Sequence, residues 1–188
     1  GMKLTFGGAA GTVTGSRHLF QEGTRAWLLD CGLFQGYKQL RLRNRTPLPI
    51  GPRRISSVVL SHAHLDHSGY LPALVRDGFR GPIYASAATR ELCEILLRDS
   101  AHLQEEKARF ANRHGFTRHV PAEPLYTVDD ALRAMRLFRE LPFGQAVELG
   151  EGVSATLEPA GHLLGAAMVR LTRVAQLILW LPSQGLSV

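Results

Sequence analysis

The sequence has 188 residues, enough for one well-buried domain, with 45% of them hydrophobic and a formal charge of +6. No stretch approaches the roughly 18 consecutive apolar residues that cross a bilayer, and no charged-then-apolar leader precedes Met2. Two cysteines, Cys31 and Cys93, make neither a disulfide framework nor a four-cysteine zinc site, so a reducing cytoplasm is expected, and the positive charge permits a polyanionic partner such as RNA without requiring one.

Gly1, ahead of Met2, reads as an expression remnant. Lys3 to Phe6 is expected as a strand, followed by the small-residue loop Gly7-Gly8-Ala9-Ala10-Gly11. His18 to Gln21 and Ala26 to Leu29 follow as strands separated by Glu22-Gly23-Thr24. Arg41, Arg43, Arg45, Arg53 and Arg54 form the densest basic cluster, without the interleaved aromatics of a base-stacking platform. Ile55 to Leu60 is a compact β-branched run of the kind buried on both faces of a sheet, and it ends at a histidine cluster. Tyr70 to Arg76 reads as a short helix stopped near Gly78, and Pro82 to Ala85 as a strand.

From Ala87, with Ser86 as N-cap, the apolar positions Ala88, Leu92, Ile95 and Leu96 recur at helical spacing. This helix is expected to run through Leu103 toward Asn112, with Cys93 in the core. Thr127, with Asp130 three residues on, signals a second helix whose stripe is Leu132, Met135 and Phe138. Strands are expected again at Val147 to Leu149, Val153 to Leu157, Ala166 to Leu171 and Gln176 to Trp180. Strand blocks around helical insertions predict an α/β sandwich, and neither a repeat nor a low-complexity linker divides the chain.

The chemistry concentrates in His62-Ala63-His64-Leu65-Asp66-His67. In an extended segment alternate side chains point the same way, so His62 and His64 can aim at one point. Asp66 and His67, expected in a tight turn, can face a second metal. Imidazole and carboxylate donors suit zinc, manganese or iron. A lone histidine at a strand end is ordinarily a hydrogen-bonding residue, but four candidate ligands in six positions point to metal binding. The third ligand expected beside His62 and His64 is His162, in Ala160-Gly161-His162-Leu163-Leu164-Gly165, where flanking glycines permit a sharp turn. Asp30, after Trp27-Leu28-Leu29, is expected to orient a ligating histidine through its ring N–H.

Together with Gly8-Ala9-Ala10-Gly11-Thr12-Val13-Thr14-Gly15-Ser16, Leu29-Asp30-Cys31-Gly32, the run from Leu60 to Pro72, and Asp99-Ser100-Ala101-His102-Leu103-Gln104, these motifs resemble the metallo-β-lactamase superfamily. The pattern is most similar to the β-CASP RNA hydrolases, the group containing bacterial ribonuclease J and the eukaryotic mRNA 3′-end cleavage endonuclease. The resemblance reaches to about Leu171. It implies a four-layer αββα sandwich, a first zinc on His62, His64 and His162, and a second zinc on Asp66 and His67. It also implies hydrolysis of RNA phosphodiester bonds, by an endonuclease or an exonuclease, with Asp66 and His67 at the reacting centre and Asp30 orienting them.

Family members continue to a strand and a Ser-Gly-Asp-Leu-Gly segment whose aspartate bridges the two metals. Leu179 to Val188 carries no such motif, and no acidic residue follows Glu158. The resemblance therefore implies that residues 2–188 are the N-terminal part of the metallo-β-lactamase domain, truncated and without the β-CASP cap. At most one zinc site is then expected to be well held, and activity to be weak or absent. The competing functions are a non-catalytic metal- or RNA-binding remnant and a thioester or lactone hydrolase of the same superfamily. The opening loop and the Asp99 to Gln104 segment argue against the latter. The apolar tail Leu177-Ile178-Leu179-Trp180-Leu181 is expected to pair as an edge strand or to associate with a second copy. No membrane partner is expected.

Overall fold

Alternation of apolar side chains along the strands sets the layering of the protein, which a computed structural model describes over residues 3–7, 15–115, 121–161, 164–173 and 176–181. β1 (Lys3–Gly7), β2 (Arg17–Glu22) and β3 (Arg25–Cys31) form an antiparallel meander. Parallel strands β4 (Ile55–Val59), β5 (Ile83–Ala85) and β6 (Phe138–Glu140) extend it to a six-stranded sheet in the order β1-β2-β3-β4-β5-β6. A second, four-stranded antiparallel sheet has the order β10-β9-β8-β7, from β7 (Ala146–Gly150), β8 (Val153–Pro159), β9 (Ala167–Arg173) and β10 (Gln176–Leu181).

β3 is buried on both faces. Ala26 and Leu28 pack with Leu71, Leu74, Cys93, Leu97, Ala131 and Ala134 on the helical side. Trp27 and Leu29 pack with Phe20, Val59, Leu149, Ala155, Leu157 and Val169 between the two sheets. The period-two alternation of the strand thus builds two cores at once. Parallel neighbours need crossovers, and α3 (Leu71–Arg76) supplies the one from β4 to β5, while α4 (Ala87–His114) and α5 (Val128–Arg136) supply the one from β5 to β6. The described residues therefore form a helix layer, a sheet and a second sheet, three consecutive layers of the expected sandwich.

Both long helices begin where their capping residues predict. The Ser86 hydroxyl accepts from Thr89 N at the start of α4, which ends at Gly115 with φ +66. Thr127 and Asp130 form a reciprocal capping box at the start of α5. The buried stripe of α4 differs from the expected one: it is Thr89, Cys93, Leu97, Ser100 and Ala101, with Leu92 and Leu96 at its flank and Ile95 67% exposed. The sheet selects the face, and the small residues Cys93 and Ala101 allow the helix to approach it closely. Phe138 is not part of the α5 stripe. It opens β6, whose pairing with β5 has no local signal in a three-residue strand. Three short pieces also lack a sequence signal: α1 (Lys38–Leu42) and the 3₁₀ turns at Arg43–Arg45 and Pro52–Arg54. β10 lies at the edge of the second sheet, as expected of the tail, with a bulge against β9 between Leu177 and Leu179.

Trp27 spans the gap between the sheets. Its ring is fully buried and Nε1 donates to the Leu149 carbonyl at 2.8 Å. Trp27→Ala is expected to cost about 3–5 kcal/mol, read as a lower urea midpoint with an unchanged slope. A loss below about 1 kcal/mol would show that the inter-sheet core does not depend on this residue.

Candidate metal centre

The carboxyl ends of parallel strands are where open α/β sheets place their sites, and β3 and β4 converge there on one carboxylate. Asp30, the penultimate residue of β3, adopts φ +60, a left-handed conformation that few residues other than glycine enter. Its side chain, 2% exposed, accepts three hydrogen bonds. Oδ1 accepts from Ser61 N at 2.7 Å, and Oδ2 accepts from the Ser61 hydroxyl at 2.8 Å and from His67 Nδ1 at 2.7 Å.

The chain then turns back on itself. His64 caps the one-turn helix α2 (Leu65–Ser68), its carbonyl accepting from His67 N and Ser68 N at 2.8 and 2.9 Å, while the Ser68 hydroxyl donates to the Ala63 carbonyl at 2.7 Å. This turn brings His62, Asp66 and His67 together, with one ligand atom of each within 4.8 Å of the others. His67 Nε2 lies 3.5 Å from Asp66 Oδ2, and the His62 and His67 ring centroids are 3.9 Å apart. His64 is exposed and lies outside that group of three, with its ring centroid 5.1 Å from that of His62.

Backbone contacts hold the turn against β3. Ser16 N donates to the Asp66 carbonyl at 2.8 Å, Leu33 N to the Leu65 carbonyl at 2.8 Å, and Tyr70 N to the Cys31 carbonyl at 3.0 Å. Gly32 is required by close approach, because a Cβ there would lie 1.7 Å from the Asp66 carbonyl oxygen. Arg17 secures the same corner. It is buried between the Tyr70 and Phe34 rings, at 3.9 and 5.1 Å from their centroids, and its Nε donates to the Gly32 carbonyl at 2.8 Å.

His162 and Leu163 lie outside the described residues, as does the 8–14 part of the opening loop. The flanks of His162 are fixed close to His62. Ala160 N donates to the Ala166 carbonyl at 3.0 Å, and Ala167 N donates to the carbonyl of Ser61, the residue before His62, at 2.7 Å. The Ser86 and Thr89 hydroxyls both donate to the Gly165 carbonyl, at 2.7 and 3.0 Å.

Burial and the neighbouring charge of His67 push His62 down to about 4, so its imidazole is neutral near pH 7. Burial also opposes the charged form of His67, but the hydrogen bond and charge of Asp30, with the charge of Asp66, raise it overall. For Asp30, burial alone would raise the carboxyl; the donors from His67 and Ser61 outweigh it and hold the group below its usual range. Two imidazoles and a carboxylate converging at this spacing are a nitrogen and oxygen donor set that fits a divalent cation. Sequence reasoning assigned no role to Ser61 or Arg17. A serine beside a histidine carries no periodic signal, and the partners of Arg17 lie 15, 17 and 53 positions along the chain at Gly32, Phe34 and Tyr70.

A groove of about 730 Å³ opens beside the turn, between the 33–45 segment and α4. Leu65, between His64 and Asp66, is part of its wall, and Lys38, Arg41, Arg45 and Lys107 outnumber Asp99 and Glu123 along it, leaving it net basic. Arg45 donates to the Glu123 carbonyl at 2.8 Å, whereas Lys38, Arg41 and Lys107 form no ion pair among the described residues. The arginine cluster also gains an aromatic neighbour that its own sequence lacks, with Arg43 stacked 4.4 Å from the Phe34 centroid.

The family model described as metallo-beta-lactamase superfamily matches residues 16–175. The chain is 40% identical over 168 residues to ribonuclease TTHA0252 of Thermus thermophilus, covering 89% of this chain and 34% of that protein. It is 26% identical over 170 residues to the transcription termination factor FttA of Methanocaldococcus jannaschii, covering 90% of this chain and 25% of that one. The chain thus spans about a third or less of these relatives. Its fold is similar to that of the metallo-beta-lactamase fold protein YhfI from Bacillus subtilis, with TM-score 0.51 and 20% identity over 94% of this chain and 61% of that one.

Because the folded Asp30 carboxyl lies below its ordinary value, its contribution to stability is fully present above about pH 4 and is lost as pH falls through the folded value. Asp30→Asn is expected to lower stability at pH 7 by about 3–5 kcal/mol, since it leaves the buried partners unmatched. It should also flatten the fall in stability below about pH 4. Urea midpoints across pH 3–7 read both effects, and a variant as stable as the parent would remove Asp30 from its central place.

Proposed function

The chain belongs to the metallo-beta-lactamase superfamily and brings His62, Asp66 and His67 together as a group that could hold a metal ion, and from that premise we propose that it is part of a zinc-dependent RNA phosphodiester hydrolase. The convergence of His62, Asp66 and His67 on one point beside a basic groove carries the reading. The similarity to a ribonuclease over 89% of the chain supports it. His62 and His64, with His162, would hold the first zinc, and Asp66 and His67 would contribute to the second.

Bound zinc at such a site lowers the pKa of coordinated water and offsets charge on phosphate oxygens. The protein's own part begins with Asp30, which keeps the His67 ring oriented with Nδ1 occupied and Nε2 turned toward Asp66. Lys38, Arg41 and Lys107 attract RNA phosphates along the groove that ends at the ligand turn. The exposed Leu42 and Leu103 side chains on its walls offer apolar surface to unstacked bases. A cytoplasmic setting suits an RNA substrate, and among the described residues no helix is long and apolar enough to cross a membrane. Edge strand β10, with Leu177 59% exposed, is the surface through which a second copy would pair.

A second reading is RNA and metal binding without turnover. It is favoured by the ligand group itself, which among the described residues is a single set of three donors, His62, Asp66 and His67.

Zinc titration with single-stranded RNA and a thioester as parallel substrates tests the proposal. Weak zinc-dependent RNA cleavage is expected, and His62→Ala should weaken zinc binding by more than the roughly 10–100-fold typical of a supporting residue. The triple change Lys38→Ala, Arg41→Ala, Lys107→Ala should reduce the slope of log affinity against log salt by about 0.7 for each RNA phosphate it leaves without a cation, with zinc affinity unchanged. Tight RNA binding without cleavage at saturating zinc selects the second reading. Thioester turnover without RNA binding would overturn both.

A further inference from the structure

The Ser61 hydroxyl has one proton and two partners, and the choice between them decides how His62 presents itself to a cation. Oγ lies 2.8 Å from Asp30 Oδ2 and 3.0 Å from His62 Nδ1. A carboxylate has no proton to offer, so the hydroxyl donates to Asp30. Only its lone pairs then remain for His62, and Nδ1 must carry the hydrogen between them. Ser61, Asp30 and His62 are 0%, 2% and 4% exposed, so bulk water does not compete for these bonds. The Ser61 backbone is fixed beside the same carboxylate, whose other oxygen accepts its N–H at 2.7 Å. His67 makes the matching bond directly, its Nδ1 lying 2.7 Å from Asp30 Oδ2.

We propose that Ser61 is a positioning residue that fixes the Nδ1–H tautomer of His62, so that Asp30 governs two histidines, His67 directly and His62 through the serine. Both rings then turn a bare Nε2 toward the shared point when neutral, and neither spends binding energy on changing tautomer or rotating when a cation arrives. The cation belongs to the metal reading given above, on which this part of the inference rests. The tautomer belongs to the metal-free protein and is measurable without it.

The first measurement is long-range ¹H–¹⁵N NMR of the histidine rings in metal-free protein near pH 7.5. The expected result is His62 in the Nδ1–H form in the parent, a mixture containing the Nε2–H form in Ser61→Ala, and return to the single form in Ser61→Thr. The amide spectrum of each variant checks that it is folded, since Ser61→Ala retains the backbone bond to Asp30. The second measurement is zinc affinity by chelator competition, expected to fall about 10–100-fold in Ser61→Ala and to recover in Ser61→Thr. The Nε2–H form in the parent, a tautomer unaffected by Ser61→Ala, or an unchanged zinc affinity in that variant would overturn the proposal. A parent chain that shows the Nδ1–H form yet binds no zinc would support the tautomer assignment while overturning the metal reading.

Discussion

A carboxylate enclosed by protein is costly unless each of its lone pairs finds a donor, and the carboxyl end of the first sheet is arranged around meeting that demand at Asp30. The left-handed backbone at this residue turns its side chain off the strand toward the β4 exit. Ser61 and His67 then meet it with three hydrogen bonds. One group thereby joins the end of β3, the end of β4 and helix α2. The strained dihedral persists because the bonds around it determine it from several sides.

The rest of the corner follows from that junction. With Asp30 fixed, α2 must lie flat against the β3 exit, which is why Gly32 touches the Asp66 carbonyl and why Ser16, Leu33 and Tyr70 can reach the turn with their backbone N–H groups. Arg17, which has no carboxylate partner among the described residues, is stabilised by two aromatic faces and two carbonyl-type acceptors, Gly32 and Asn44. Opposite it, Ser86 and Thr89 at the start of α4 tie down Gly165, so the second sheet delivers its loop to the same place. Trp27 and Leu29, three residues and one residue before Asp30, lock the two sheets together beneath it. A ligand set on such a platform is preorganised by packing rather than by the ligands themselves.

Charge divides the surroundings into two regimes. Inside, His62 is kept neutral and Asp30 is kept ionised, which suits a cation, whereas His67 must give up the proton that Asp30 and Asp66 favour before its Nε2 can ligate. Outside, the groove carries Lys38, Arg41 and Lys107, which have no ion pair among the described residues and suit a polyanion arriving from solvent. The two regimes meet at Leu65, whose neighbours on either side are His64 and Asp66.

Local chemistry was legible wherever a residue acts on its near neighbours in sequence. The capping residues Ser86 and Thr127 placed both long helices, the runs Ala26 to Leu29 and Ile55 to Leu60 placed β3 and β4, and the close spacing of His62, Asp66 and His67 pointed to metal ligands. What remained hidden depends on partners far along the chain. β6 exists because β5 offers it an edge, Ile95 is exposed because the sheet takes the other face of α4, and Ser61 matters because Asp30 lies 31 positions earlier. Residue identity alone determines which groups can donate, accept or ligate, since that is a property of each side chain. Which lone pair or proton each group has left to offer is decided only when the fold has assigned its other partners.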